Sequence, residues 1–376
     1  MEESQNTPTD HFISTPEESS IIEIVDDIIQ DAITHRASDI HLEPYEDKYR
    51  LRYRIDGVLN EFASPPQSLH PRISSRIKVM AEMDISERRL PQDGHFAFQY
   101  SASKRIDCRI SSCPTINGEK IVIRLLQLEH HLLNTNGLGL SEKQHQQLIT
   151  AITKPHGLIL VTGPTGSGKT MTLYALLNDL NTTAHNIVSV EDPVEIKISG
   201  VNQLNINVKA GLTFASALRA FLRQDPDILM IGEIRDPETA ELAIHAAQTG
   251  HLVISTLHAN SAAETISRLN HLGIPSHDIA SAISLIVAQR LVRKRCLNCL
   301  NGCQACHAGY SGRIGLFEVM PMSVELAQLI QNQVAPHELL AQAISEGMST
   351  LFQSGLDKIN EGVTALSEVE RVAIST

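Results

Sequence analysis

The sequence predicts an α/β protein: a doubly wound, largely parallel sheet preceded by an α+β domain and followed by a small cysteine-rich segment and C-terminal helices. Three observations carry this. Four short, nearly continuous apolar runs, Gly157 to Thr162, Ile187 to Glu191, Ile228 to Gly232 and Leu252 to Thr256, alternate with helical stretches at Thr170 to Leu180, Thr213 to Arg223 and Glu238 to Gln248. Runs of this kind mark parallel strands buried on both faces. Before them the chain alternates polar and apolar residues, as one-sided antiparallel strands do. The first apolar run also feeds Gly163-Pro164-Thr165-Gly166-Ser167-Gly168-Lys169-Thr170, a G-x-x-x-x-G-K-T loop between a strand and a helix.

Taken in order, residues 1–18 are polar and acidic, a tail too poor in apolar residues to form a core. The α+β domain is assigned to 19–130. Ser20-Ile21-Ile22-Glu23 is a capping-box signature, and Ile21, Ile24, Val25, Ile28, Ile29 and Ala32 keep a helical rhythm as far as His35. Ser38 to Glu43, Tyr49 to Ile55 and Val58 to Phe62 alternate as strands, the last two joined by Asp56-Gly57, a hairpin dipeptide. A helix over Pro71 to Met83 and strands around His95 to Gln99, Arg105 to Ile110 and Lys120 to Leu126 complete that domain. Asn134 to Gly139 reads as part of a linker spanning 131–141. The parallel core is assigned to 142–292, the cysteine-rich segment to 293–320 and a helical subdomain to 321–376.

At 376 residues the chain exceeds one ordinary core. Its 31 Lys plus Arg against 43 Asp plus Glu leave a net charge of −12, which argues against nucleic acid as the main partner. No run of 18 apolar residues and no basic, then apolar, N-terminal leader is present. A cytoplasmic location follows, with membrane association only through partners. Four of the six cysteines lie between 296 and 306, a spacing that suits a metal or a reduced compartment better than disulfides.

In doubly wound sheets, chemistry sits outside the carboxyl ends of the strands. Gly163, Gly166 and Gly168 let loop amides curl around phosphate oxygens, Lys169 can neutralise the β/γ-phosphates, and the Thr170 hydroxyl can hold Mg²⁺. Asp227 to Glu233 is a buried strand ending in a carboxylate, the Walker B arrangement, so Glu233 can hold Mg²⁺ or polarise water. Glu191, at the end of the neighbouring strand, competes for water activation, and the residues alone leave the division of duties open. His251 and His258 bracket the strand after Walker B and are candidate γ-phosphate sensors.

Cys296-Leu297-Asn298-Cys299 and Cys303-Gln304-Ala305-Cys306 form two C-x-x-C pairs only three residues apart, with Asn301-Gly302 as the turn and His307 as a spare ligand. They can close on one structural Zn²⁺ or remain reduced thiols. Arg290, Arg293, Lys294 and Arg295 form a basic run expected to be a solvated face, with partner or anionic-lipid contact as the alternative.

Together, Glu191 to Glu195, Gly211 to Asp227, Gly232 to Glu241 and the Thr249 to His258 segment resemble the Asp box, Walker B and His box of the secretion ATPase superfamily. The likeness is greatest to the assembly ATPases of type II secretion and type IV pili and extends over roughly 20–372, including Ala37 to Pro44 and Arg54 to Gly57. It implies an ATP-driven homo-hexamer on the cytoplasmic face of inner-membrane platform proteins, with a PAS-like domain flexibly linked to a RecA-like P-loop core. It further implies that Arg109 and Arg124 close over the phosphates of ATP bound to the core. Three departures stand out: the further N-terminal docking domain of the family is expected to be lacking, Met171 occupies a position that usually carries a hydroxyl, and the cysteine loop is short. A nucleic-acid motor and a nucleotide-dependent scaffold are the alternative functions.

Overall fold

A computed structural model describes residues 20–126, 134–299, 302–303 and 306–373. The tail at 1–18, linker residues 131–133, Asn301, Gln304 and Ala305 lie outside them. The chain divides into two compact units, Met1–Leu128 and Glu129–Thr376.

The first unit comprises α1 (Ile21–Thr34), β1 (Ala37–Pro44), β2 (Tyr49–Ile55), β3 (Val58–Phe62), α2 (His70–Met80), β4 (Gln92–Ser101), β5 (Lys104–Thr115) and β6 (Gly118–Leu126). The capping box at Ser20 and Glu23 starts α1. All neighbouring strands run antiparallel, in the order β3-β2-β1-β6-β5-β4. Asp56 and Gly57 both have positive φ, 49° and 86°, as a two-residue hairpin turn with the right-handed strand twist requires. Tyr49, Leu51, Tyr53 and Ile55 of β2 enter the apolar core with the buried faces of both helices. The polar face instead carries a charge lattice. Buried Glu43 accepts Arg50 at 3.0 Å, Arg52 at 2.9 Å and Lys120 at 2.9 Å. Burial pushes its carboxyl up, but the bonds from Arg52 and Lys120 outweigh that and hold it at about 2.

The second unit begins with α3 (Glu142–Ile152), β7 (Gly157–Thr162), α4 (Lys169–Leu180), β8 (Ile187–Glu191) and β9 (Asn202–Asn205). It continues through α5 (Phe214–Phe221), β10 (Ile228–Ile231), α6 (Pro237–Gln248), β11 (Leu252–Leu257), α7 (Ala262–His271) and α8 (Ser276–Ala282). It ends with β12 (Ile283–Arg295), β13 (Tyr310–Pro321), α9 (Val324–Gln331), α10 (Pro336–Ser345), α11 (Leu351–Asn360) and α12 (Leu366–Glu370). One seven-stranded sheet has the order β13-β12-β7-β11-β10-β8-β9, parallel throughout except for β13. Strands β7, β8, β10 and β11 are buried along their whole length, as their apolar runs predict.

Two features differ from expectation. Asn134 to Gly139 is no free linker: it holds a 3₁₀ turn, Thr135–Leu138, whose Thr135 hydroxyl donates to Asp179 of α4 at 2.6 Å. The core sheet also runs through the boundaries expected at 292 and 320, because β12 and β13 pair from Leu285↔Pro321 to Arg295↔Tyr310. The cysteine segment is therefore the tip of a core hairpin. The basic run is only partly solvated: Arg290 is buried, and Arg293 pairs with buried Glu368 at 2.7 Å. Arg290 donates to the carbonyls of Gln289 and Asn260, whereas Lys294 and Arg295 are exposed, a division that spacing in sequence does not reveal.

Glu318 on β13 fixes the far side of this unit. Its Oε2 accepts the Ala262 amide at 2.9 Å and its Oε1 the Leu351 amide at 3.1 Å, so one carboxylate serves the first turns of α7 and α11. Burial pushes its carboxyl up, against these amides and Arg290. Replacing Glu318 with Ala is expected to cost about 2–4 kcal/mol, because two helix starts lose their acceptor and two buried amides lose a partner. A lower urea midpoint at unchanged m-value checks it.

Candidate nucleotide site

Strand β7 delivers the phosphate loop to the carboxyl edge of the sheet. At Gly163, φ is 153°, and a Cβ would lie 2.6 Å from the Gln289 carbonyl oxygen and 2.5 Å from Ser167 Oγ. Gly168, at φ 90°, caps α4 with no side-chain bond, leaving its first-turn amides for an anion. A Cβ on Gly168 would meet the Gln289 amide nitrogen at 2.8 Å, so β12 forms the floor of the loop. Pro164, Thr165, Gly166 and Thr170 are exposed, whereas Ser167 is buried with no partner for its hydroxyl among the described residues. Lys169 folds back over the loop, donating to the carbonyls of Gly163 at 2.8 Å and Pro164 at 3.1 Å. Burial, aided by Arg290, pushes its ammonium pKa down, and Glu233 opposes the shift. An incoming phosphate would take over both the lysine's carbonyl contacts and its missing countercharge.

Strand β11 lies between β7 and β10, so the residues following all three emerge side by side. Glu233, two residues past β10, accepts Arg235 on Oε1 at 2.5 Å and stands 3.7 Å through Oε2 from His258 Nε2. Arg235 reaches on to Asp192 at 3.8 Å. His258 follows β11 directly. Its segment is pinned by Thr162, whose hydroxyl accepts the Ala259 amide at 3.0 Å, and by Arg290, which donates to the Asn260 carbonyl at 2.9 Å. Burial and then Lys169 lower the His258 pKa, favouring the neutral ring at pH 7.

The other predicted residues are placed differently. Glu191 ends β8 and is buried, with Ser189 donating to Oε1 at 2.7 Å, Gln203 to Oε1 at 3.1 Å and Tyr174 to Oε2. His251 does not join the site. It precedes β11, where its carbonyl accepts the Gly157 amide at 3.1 Å. With β11 spanning Leu252–Leu257, at about 3.3 Å per residue the strand separates His251 from His258 by about 23 Å. Proximity in sequence misled because a strand's two ends face opposite edges of its sheet. Arg109 and Arg124 belong to the first unit, directly opposite one another on β5 and β6, and Arg124 donates to Asp39 at 3.0 Å.

At the tip of the β12–β13 hairpin, the sulfurs of Cys296, Cys299, Cys303 and Cys306 all lie within 4.8 Å of one another. Individual separations are 3.8 Å for 296–303, 3.4 Å for 299–306 and 3.7 Å for 303–306. A tetrahedron with Zn–S bonds of about 2.3 Å has edges of about 3.8 Å, so the four thiols fit one zinc despite the short connection. His307 instead pairs through its backbone with Tyr310.

Residues that sequence reasoning missed support the site from behind. The Gln289 amide oxygen accepts the Thr172 hydroxyl at 2.7 Å, tying α4 to β12 beside Met171. The apolar run from Leu285 to Ala288, preceded by Ile283 and Ser284, was the available signal for β12. Nothing local pointed to Gln289 or Tyr174.

A family described as type II/IV secretion system protein matches residues 14–371. The type IV pilus assembly ATPase PilB of Acinetobacter baylyi is 48% identical over 386 aligned residues, covering 95% of this chain and 67% of that protein. The type II secretion system protein E of Pseudomonas aeruginosa is 42% identical, covering 97% of this chain and 78% of its own. Among solved structures, the pilus retraction motor PilT with bound ADP aligns at a TM-score of 0.65 and 27% identity, over 93% of this chain and 97% of that one.

Proposed function

The chain belongs to the type II/IV secretion system protein family, and from that premise we propose how its two units work as a motor. It is an ATP-hydrolysing enzyme with a RecA-like core, an ATPase motor of secretion or pilus assembly. The observation that carries the chemical reading is the convergence of Lys169, Glu233 and His258 at the carboxyl ends of β7, β10 and β11.

ATP would sit with its phosphates on the Gly163 to Thr170 loop, where Lys169 gives up its two carbonyl contacts for phosphate oxygens. Thr170 and Glu233 would hold Mg²⁺, which supplies charge neutralisation on the β- and γ-phosphates. Glu233 orients the attacking water, and the neutral ring of His258 reports on the γ-phosphate. Arg109 and Arg124, always charged, would close over the phosphates from the first unit, which we read as the family's PAS-like domain. Arg124 would exchange Asp39 for phosphate. We read the working form as a homo-hexamer on the cytoplasmic face of inner-membrane platform proteins, coupling each turnover to pilus or pseudopilus growth. That no helix among the described residues is long and apolar enough to cross a membrane is compatible with peripheral docking. We assign Cys296, Cys299, Cys303 and Cys306 to one structural zinc, which staples the hairpin tip and takes no part in hydrolysis.

Lys169→Ala tests the phosphate-loop reading. Labelled-nucleotide titration should show ATP affinity reduced by at least about tenfold, given the strength of charge-assisted phosphate contacts. Light scattering of the unmodified chain with ATP should show rings of six. Unchanged affinity, or a monomer at every nucleotide and protein concentration, contradicts the corresponding part.

A further inference from the structure

We infer that Tyr174 and Glu191 form a positioning couple that links the phosphate-loop helix to the segment after β8 and through it aims Glu233; Glu191 then does not itself act on water. The inference rests on Glu233 as the water-orienting acid, proposed above.

Hydrogen-bond capacity carries the first half of the argument. Glu191 is 3% exposed. Its Oε1 accepts Ser189 and Gln203, and its Oε2 accepts the Tyr174 hydroxyl. Three of its roughly four acceptor sites are thus in use, and burial closes the fourth to bulk water or a metal. Tyr174 is equally committed: its single proton goes to Glu191, and its oxygen accepts the amides of Glu195 at 2.9 Å and Ile196 at 3.2 Å. A phenol has one donor and two acceptor sites, and all three are in use. Burial, followed by the bond to Glu191, pushes the Tyr174 pKa up, so the phenol keeps that proton at any working pH.

What the couple joins carries the second half. Tyr174 is buried on α4, four residues and about one helical turn beyond Thr170 and five beyond Lys169. A shift of α4 when its first turn engages phosphate therefore reaches the phenol directly. On the other side, Tyr174 grips the segment after Glu191 through two amides. The same segment is held by Gln203, which donates to the Ile196 carbonyl at 2.8 Å and accepts the Ile198 amide at 2.7 Å. Asn205 adds the Val194 amide at 2.6 Å. The segment opens with Asp192, which faces Arg235, and Arg235 binds Glu233. A continuous chain of contacts thus runs from the phosphate loop to the carboxylate that orients water, a route whose coupling the variants below test.

Tyr174→Phe removes one oxygen and no group that touches substrate. In the full-length chain, Mg-ATPase turnover should fall by about tenfold or more while ATP affinity and melting temperature stay near wild type, a kcat effect without a binding effect. Glu191→Gln, which can still accept Tyr174, should keep measurable turnover and retain the acid limb of the wild-type pH–rate profile. The double variant should lose less than the two single losses combined, since the two side chains act as one couple. Wild-type turnover in Tyr174→Phe, loss of the acid limb in Glu191→Gln, or additive losses in the double variant would overturn the inference. Glu233→Gln run alongside separates the two levels: if it hydrolyses ATP like wild type, the underlying assignment of Glu233 has failed instead.

Discussion

Glu233→Gln is expected to bind ATP as the unmodified chain does and to hydrolyse it about 10²- to 10⁴-fold more slowly, the range lost when a positioned base is removed. The substitution is nearly isosteric. An amide oxygen can still accept Arg235, so the local scaffold survives while the negative charge disappears. Two consequences follow from that charge. The water loses the group that orients it and draws on its proton, and Lys169 loses the carboxylate that opposes its depressed pKa. Bound triphosphate replaces the second loss, because its own charge sits against the ammonium, but nothing nearby replaces the first. Glu191 is committed to Ser189, Gln203 and Tyr174, and His258 stands 3.7 Å from Glu233 with its pKa lowered by burial and Lys169. Single-turnover hydrolysis set beside equilibrium nucleotide binding separates the two effects. Equal loss of binding and turnover would show that Glu233 serves the ground state, and full turnover would remove it from the chemistry.

The phosphate loop was legible in the sequence because its chemistry dictates residue types at fixed spacing: glycine where a Cβ would strike Gln289 or Ser167, then lysine and a hydroxyl. The Asp56-Gly57 hairpin was legible for the same reason, since two successive positive φ values leave few residue choices. Glu233 followed from the burial of β10, which lets one carboxylate emerge at one strand end. What escaped reading were partners far apart along the chain. Gln289 meets Thr172 across 117 residues, and β12 was overlooked although its apolar run, Leu285 to Ala288, is as long as that of β10. Arg293 looked like part of a solvated basic run because Glu368, its partner, lies 75 residues away. His251 and Glu191 show the converse. Each sits near a motif in sequence, yet one emerges at the opposite edge of the sheet and the other is sealed beneath the surface by a phenol that no spacing rule connects to it.

Metal analysis of the native chain is expected to find one zinc per protein, and Cys303→Ser or prolonged chelation is expected to remove it and disorder the hairpin tip. The physical case is the gathering of four thiols within 4.8 Å of one another. Among the described residues of the tip, Leu297 is fully exposed and Cys296 is buried. Among these residues Cys296 donates to Gly309, Cys306 to Cys303, and His307 and Tyr310 exchange a pair. Holding four thiolates together works against their mutual repulsion and an ordering entropy of about 1–2 kcal/mol per residue. Zinc offsets both: structural sites in small peptides bind with about 10–16 kcal/mol at neutral pH, and that energy appears as folding energy. The damage should stay local. Immediately below the tip, Arg293 is clamped by Glu368, itself held at about 2 because hydrogen bonds from Arg293 and Arg371 outweigh burial, and Val292 and Leu316 pack with Val369. Limited proteolysis of the stripped protein should therefore cut between 296 and 309 and leave the rest of the second unit intact, with nucleotide affinity preserved because Cys296 lies seven residues, about 23 Å of strand, beyond Gln289 at the floor of the phosphate loop. Metal-free native protein whose four thiols react freely, or chelation that abolishes ATP binding along with the zinc, would refute a purely structural metal.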